Sequence, residues 1–215
     1  MNLCCAIFDL DGVLVDTAKY HYLAWKELAD RLEFDFSTEQ NERLKGVSRM
    51  DSLNILLEIG GMENHFSDAE KEKMAAEKNA RYVEYISKMD SSELLNGALA
   101  LLNELKKRGV KIALGSASKN SPLILKKVGI ASLFDVIVDG NDVSRAKPDP
   151  EVFTLGAGRL SISYPECAVF EDSEAGLQAA KRAGMTGIGI GDRKNLPSAN
   201  AVYENLAQIP IDRYF

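Results

Sequence analysis

Histidine and cysteine, the side chains that build zinc sites and disulfide frameworks, are scarce in this sequence, with two of the first and three of the second. Cys4, Cys5 and Cys167 have no paired spacing and no histidine partners, which argues against either device. They read as small core hydrophobes in a reducing compartment, Cys4 and Cys5 in a first strand and Cys167 just ahead of a later apolar run. Long apolar segments are missing too. The first apolar run has no basic stretch before it and is broken by Asp9, which argues against a secretory leader, and no segment approaches membrane-spanning length. A cytoplasmic protein with no membrane partner is expected. Nor is there a basic block: 26 Lys and Arg stand against 32 Asp and Glu, for a net charge of −6. No groove for a phosphate backbone follows from that balance, so nucleic acid is not an expected partner. Internal repeats and low-complexity segments are also lacking.

What the sequence does contain is alternation. Apolar runs of strand length occur at Leu3 to Phe8, Val110 to Gly115, Phe134 to Val138, Ala168 to Phe170 and Thr186 to Ile190, and amphipathic helical patterns separate most of them. Gly109, Gly129 and Gly184 sit where helices should stop, and Pro122 and Pro150 where they should start. Strands alternating with helices predict an α/β fold whose parallel sheet is covered by helices. The stretch from Thr17 to Asp90 departs from this pattern, with four helical segments in succession and no strand. Ser37 with Gln40 and Ser67 with Glu70 have the spacing of capping boxes, while Gly46 and Gly60-Gly61 are breaks. A helical domain over 17–90, inserted into a core formed by 1–16 and 91–215, is therefore expected. Placed directly behind the first strand, it would cover the carboxyl edge of the sheet and exclude water there.

That first strand ends in Asp9-Leu10-Asp11-Gly12. Two acids at a strand end suit a metal and a nucleophile, though they equally suit a helix cap or a solvated turn. A calcium loop is ruled out, because Val13 stands at the next ligand position and no glutamate follows at the required distance. The other strand ends are polar as well: Ser116-Ala117-Ser118-Lys119-Asn120 follows the second run, Lys147 precedes Pro148-Asp149-Pro150, and Glu171-Asp172-Ser173 follows the run beginning at Ala168. Carboxylates from two strand ends can hold Mg2+, while a hydroxyl and an ammonium neutralise a phosphoryl group. The combination points to phosphoryl transfer.

In order, Asp9-Leu10-Asp11-Gly12-Val13, Gly115-Ser116, Lys147-Pro148 and Glu171-Asp172-Ser173 resemble the four motifs of the haloacid-dehalogenase-like phosphatase and mutase superfamily, and they span nearly the whole chain. The resemblance implies a Rossmann-like α/β core with an inserted all-α four-helix cap. It implies Asp9 as the nucleophile that carries the phosphoryl group and Asp11 as the general acid and base. One Mg2+ per chain would be held by Asp9, the Asp11 backbone carbonyl and Asp172, with Glu171 at or beside it. Ser116 and Lys147 would bind the transferring oxygens. Gly115 departs from the pattern, standing at a position where the superfamily has a small, alanine-like residue.

The insert carries a second resemblance. Lys45-Gly46-Val47-Ser48-Arg49 can be read as a plain helix break with Ser48 as N-cap, but that leaves the two flanking cations unexplained. With Asp16 to His21, Ala24-Trp25-Lys26, Asp51-Ser52-Leu53, Lys78-Asn79 and Ser116 to Asn120, it resembles the β-phosphoglucomutase family. The resemblance implies sugar-phosphate substrates, a monomer, and β-glucose 1,6-bisphosphate as intermediate and activator. Arg49, Ser118, Lys119 and Asn120 would bind the phosphate that is not transferred, and Arg suits that task because its fork fixes orientation. Lys45, Gly46, Val47, Ser48, Ser52 and Lys78 would contact the sugar or line its pocket. Trp25 would form a pocket wall or pack in the cap core. Thr17 and His21 would hold Asp11 in position, and His65 matches nothing and reads as a surface residue. A phosphatase of the same fold, needing one phosphate site, and a non-catalytic sugar-phosphate-binding module are the alternatives. Retention of Asp9, Asp11, Lys147 and Asp172 argues against the second.

Overall fold

The computed structural model describes residues 3–44 and 47–215; Lys45 and Gly46 of the expected substrate loop lie outside the described residues. The chain forms two compact units, Thr17–Lys88 and Met1–Asp16 with Met89–Phe215. In chain order the elements are β1 (Cys5–Phe8), α1 (Ala18–Arg31), α2 (Thr38–Asn41), α3 (Arg49–Ile59), α4 (Asp68–Ile86), α5 (Ala98–Lys107), β2 (Lys111–Gly115), α6 (Ser121–Lys127), β3 (Val136–Val138), α7 (Glu151–Arg159), β4 (Cys167–Glu171), α8 (Glu174–Arg182), β5 (Thr186–Ile190), β6 (Ala201–Tyr203) and α9 (Ile211–Tyr214).

The six strands form one parallel sheet in the order β3-β2-β1-β4-β5-β6. Only α/β chains bury parallel strands on both faces, which is why β1 and the stretches Ile112 to Gly115 and Cys167 to Phe170 of β2 and β4 read as apolar runs. The order reverses between β1 and β4, and at such a switch point the following loops diverge, leaving a crevice at the carboxyl ends. Strand β6 was not expected, because three half-buried residues at a sheet edge leave no apolar run to detect. Cys5 and Cys167 are buried, as expected of core hydrophobes, but Cys4 is exposed and lies just before β1. The four residues of β1 are all buried because both faces of the sheet are covered, whereas Cys4 stands ahead of the strand and outside that run.

Beneath the sheet, Ile7, Ala113, Val138, Phe153 and Val169 pack in one cluster with Cys5 and Cys167. This explains the glycine at 115. A Cβ there would lie 2.7 Å from the Phe153 ring and 3.2 Å from Ile7, so the large ring of α7 occupies the space that a methyl group would need.

The helical unit contains four α-helices among the described residues, packed around Trp25, Leu28, Phe36, Leu53, Leu56, Leu57 and Ala75. Its punctuation follows local chemistry. Both capping boxes form, Ser37 with Gln40 and Ser67 with Glu70, and Ser48 caps α3 by accepting from the Asp51 N–H. Gly60 closes α3 where a Cβ would lie 2.6 Å from Phe34. Ion pairs Arg31–Glu77 and Arg81–Glu27 bridge α1 and α4 on the outside; such exposed pairs contribute about 0–1 kcal/mol, so the apolar seam holds the helices together.

Gly115→Ala is expected to lower the unfolding free energy by about 1–3 kcal/mol through overpacking against Phe153, read as a lower urea midpoint with an unchanged slope. A stability equal to that of the unsubstituted protein would show that the ring has room to yield.

Candidate active site

The acids and the lysine converge at the switch point. Strands β1 and β4 run in register, Phe8 opposite Phe170, with their rings stacked at 4.6 Å between centroids. One residue further along, the Asp9 N–H donates to the Phe170 carbonyl at 2.9 Å, which continues the ladder and brings Asp9 level with Glu171. The Asp9 Oδ1 lies 2.6 Å from the Lys147 Nζ, which also reaches Glu171 Oε1 at 3.2 Å. All three side chains are buried.

Glu171 is held from several directions. Its Oε2 accepts from the Asp172 N–H at 2.9 Å, and its Oε1 accepts from the Ser173 hydroxyl at 2.6 Å. The carboxylate lies over the first turn of α8, where a Cβ on Gly176 would be 1.7 Å from Oε1. Exposed N–H groups and the positive end of the helix favour an anion there. On the other side, Leu10 to Val15 folds into a tight turn closed by the Gly12 N–H on the Val15 carbonyl at 2.8 Å. Gly12 has φ +79°, and a Cβ on it would lie 2.0 Å from Asp172 Oδ2. Glycine is required there twice over, for the turn and for the close approach of the carboxylate.

Carboxylate oxygens of Asp9, Glu171 and Asp172 lie within 4.8 Å of one another. Four acidic side chains, counting Asp11, face one ammonium, so a cation is the natural complement. An all-oxygen donor set without histidine or thiolate suits a hard ion of the magnesium type. Protonation tells the same story. Burial pushes Asp9 up to about 7, against the lowering pull of Lys147 and with a further rise from Glu171. Asp11 is pushed up to about 8 by burial and then by Asp9. Asp172, although its outer side is open, is raised to about 8 by desolvation and then by Glu171 and Asp9. The acids hold Lys147 firmly in its charged form despite its burial. A carboxyl in the range of Asp11 can give and take a proton near neutrality.

The hydroxyl loop adjoins this cluster in the chain fold, following β2. Ser116 is buried, and its Oγ accepts from the Ser118 N–H at 3.1 Å; Ser118 Oγ in turn accepts from the Asn120 N–H at 3.3 Å. A hydroxyl that accepts keeps its own O–H to donate, so both can still serve an anion. Lys119 is exposed at the tip, and Asn120 caps α6 by position without a side-chain bond of its own to the helix.

In the helical unit, Val47 and Ser48 are exposed and Arg49, the first residue of α3, is half-buried. Ser52 is turned inward, donating to the Leu44 carbonyl at 3.4 Å. Of the two readings of Trp25, the core one describes its position: it is 2 % exposed, with the Lys78 ammonium 4.3 Å from its ring centroid. Lys78 Nζ stands 3.0 Å from His21 Nδ1, and burial with the nearby Lys78 and Arg49 charges keeps His21 neutral. Its imidazole stacks on Tyr82 at 4.0 Å. Thr17 is fully buried at the start of α1, and His65 is exposed.

Some supporting residues had no readable signal. Glu151, at the start of α7, accepts from the Ser144 and Arg145 N–H groups at 3.0 and 2.7 Å, fixing the loop that delivers Lys147. Its proximity to the Asp149-Pro150 helix start was the one hint. Gly176 is a glycine inside a helical pattern, which signals close approach without naming the partner.

A parallel sheet with a cluster of acids at its switch point and a helical insertion after the first strand in the chain is the architecture of a known class. The chain belongs to the haloacid dehalogenase-like hydrolase family, whose model matches residues 5–184. Among its relatives is the β-phosphoglucomutase of Bacillus subtilis, 42% identical over 206 residues that cover 96% of this chain and 91% of that one. The crystal structure of β-phosphoglucomutase from Clostridium difficile superposes with a TM-score of 0.93 at 42% identity, covering 98% of this chain and 95% of that chain. The phosphorylated carbohydrates phosphatase of Thermotoga maritima is 30% identical over 203 residues, covering 91% of each chain.

A carboxyl whose folded pKa stands above its unfolded value adds stability below the unfolded value and loses it as pH rises through the folded one. With Asp9, Asp11 and Asp172 raised to about 7, 8 and 8, the melting temperature in chelator should fall between pH 6 and pH 9. Added Mg2+, competing with those protons, should raise it more at pH 8 than at pH 6. A Mg2+ increment independent of pH would count against binding at these acids.

Proposed function

We propose that this protein is a Mg2+-dependent mutase that interconverts β-D-glucose 1-phosphate and D-glucose 6-phosphate through β-D-glucose 1,6-bisphosphate. The observation that carries the reading is the full-length likeness to the β-phosphoglucomutases, to which the Asp9–Lys147 contact inside an acid cluster adds a chemistry. Its partners on this reading are small sugar phosphates, and it works as a monomer in the cytoplasm. Among the described residues no helix is long and apolar enough to cross a membrane.

The Asp9 carboxylate attacks the C1 phosphorus of the bisphosphate, the C1 oxygen leaves with the proton of Asp11 as the hydroxyl of glucose 6-phosphate, and the phosphoryl group rests on Asp9. Asp11, now ionised, takes the proton of the 6-hydroxyl of an incoming β-glucose 1-phosphate, which attacks the aspartyl phosphate, frees Asp9 and restores the bisphosphate. Lys147 and Ser116 hold the transferring oxygens. Asp9, the Asp11 carbonyl and Asp172, with Glu171 at or beside them, would hold Mg2+, which would supply neutralisation of phosphoryl charge where two anions otherwise repel. Arg49, Ser118, Lys119 and Asn120 take the other phosphate, and Lys45, Gly46, Val47 and Ser48 meet the sugar. A bisphosphate has to present either end to one aspartate, and a second anion subsite meets that need.

The test is a coupled glucose 6-phosphate assay with Mg2+, β-glucose 1-phosphate and catalytic bisphosphate. Isomerisation is expected; free phosphate without isomerisation would instead establish a sugar-phosphate phosphatase, the reading that the Thermotoga relative favours. Asp9→Ala should lower phosphoryl transfer by roughly 10⁴-fold or more. Arg49→Ala should impair isomerisation far more than hydrolysis, and equal losses would remove the second subsite from the mechanism.

A further inference from the structure

The loop Ser116–Asn120, between β2 and α6, is tied locally by its two serine hydroxyls and by the Ser121 hydroxyl, which donates to the Ser118 carbonyl at 2.7 Å, and the turn that follows β3 meets its carbonyls from outside. The Gly140 N–H donates to the Ser118 carbonyl at 3.4 Å, and the Asn141 Nδ2 donates to the Lys119 carbonyl at 3.3 Å. A Cβ on Gly140 would lie 2.2 Å from the Ala117 oxygen and 3.0 Å from Lys119 Cγ, so the two backbones touch with no space for a side chain between them.

The turn that does this is itself rigid. Asp139 is buried; its Oδ1 accepts from the Asn141 N–H at 2.7 Å, and its own N–H donates to Asp142 Oδ2 at 2.9 Å. Asp142 is fixed in turn by Arg159 of α7 at 2.6 Å. The base of the serine loop joins the same frame through the Ser116 N–H, which donates to the Val138 carbonyl at 3.1 Å. Two successive peptides carrying Ser118 and Lys119 are thus registered against a neighbouring strand end.

We infer that Gly140 and Asn141 are positioning residues for the Ser118–Lys119–Asn120 phosphate subsite, and that they set the preference for a doubly phosphorylated sugar over a donor with one phosphate. The inference rests on the function proposed above. Asn141 bonds to the Lys119 carbonyl, two residues beyond Ala117 and three beyond Ser116, while Asp9, Lys147 and Glu171 have their own supports on β1, β4 and the Glu151-braced loop. Loss of the clamp should therefore separate two activities that share the same nucleophile.

The full-length variants Asn141→Ala and Gly140→Ala are compared with the unsubstituted protein in three measurements. These are KM and kcat for bisphosphate-primed isomerisation, the dissociation constant of the bisphosphate by calorimetry, and hydrolysis of acetyl phosphate, a donor without a second phosphate. Asn141→Ala should raise KM and the dissociation constant about tenfold, and Gly140→Ala, which displaces the loop, about a hundredfold. Acetyl phosphate hydrolysis should stay within about twofold in Asn141→Ala, whose lost bond is to the Lys119 carbonyl, whereas Gly140→Ala, which presses on Ala117 beside Ser116, should lose hydrolysis too, by less than it loses bisphosphate binding. Parallel losses in all three measurements would show a merely structural role, and an unchanged dissociation constant in Asn141→Ala, an exposed position that tolerates truncation, would also overturn the inference. If the unsubstituted protein binds bisphosphate without isomerising, the function reading fails while the calorimetry still decides this one.

Discussion

Lys147 sits between Asp9 and Glu171 in a buried setting, and most of the core unit is arranged around keeping it there. Desolvating a charge costs several kcal/mol, and a buried ion pair seldom repays that cost better than a hydrophobic pair of the same size. Stability alone therefore gives no reason for this contact. Breaking it is another matter, since removing one partner strands the other, at a cost of about 3–5 kcal/mol. The pair consequently imposes conditions on its surroundings: strand register that aligns Asp9 with Glu171, a braced loop to deliver the ammonium, and a helix start to satisfy the glutamate. Each condition is met by a different element, which is why the site draws on β1, β4, α7 and α8 together.

Much of the local precision comes from atoms that are left out. At Gly12 and Gly176 the place of a methyl group is taken by a carboxylate of the acid cluster, Asp172 and Glu171 respectively, and at Gly115 by the Phe153 ring. The carboxylates can lie against backbone, collecting N–H donors, because nothing projects between them. Packing density near the switch point is thus achieved by fitting large side chains into gaps opposite glycines, and interiors packed to that degree respond to single methyl groups.

What could be read from the sequence was local or periodic. The capping boxes at Ser37 and Ser67 lie within one helical turn, and β1, β2 and β4 announce themselves as apolar runs because both sheet faces are covered. Strand ends with polar loops pointed to the catalytic edge, and the motif resemblance then separated the roles of its acids. Other features depended on distance in space. Ala201–Tyr203 became a strand through pairing with β5, not through its own three residues. Cys4 reads as part of the same apolar run as Cys5, but the strand begins only at Cys5 and Cys4 is exposed. Trp25 carried two readings, and only the helical packing around it placed the ring in the core. Glu151 braces the lysine loop through a bend that periodicity does not encode.

Strand β1 is flanked on both sides by segments that come much later in the chain, Lys111–Leu114 on one edge and Cys167–Phe170 on the other. In the chain, the helical unit of residues 17–88 comes between β1 and the first of these. Closing so large a loop has to precede any pairing of β1, whereas the helices can settle on contacts near in sequence. On a ribosome, the segment bearing Asp9 would emerge first and still be unpaired while the inserted bundle assembles behind it. An apolar strand kept waiting in that way is exposed to wrong partners. Its four-residue length, followed by Asp9 and Asp11, limits that exposure, so the acids at its end also act as gatekeepers during synthesis.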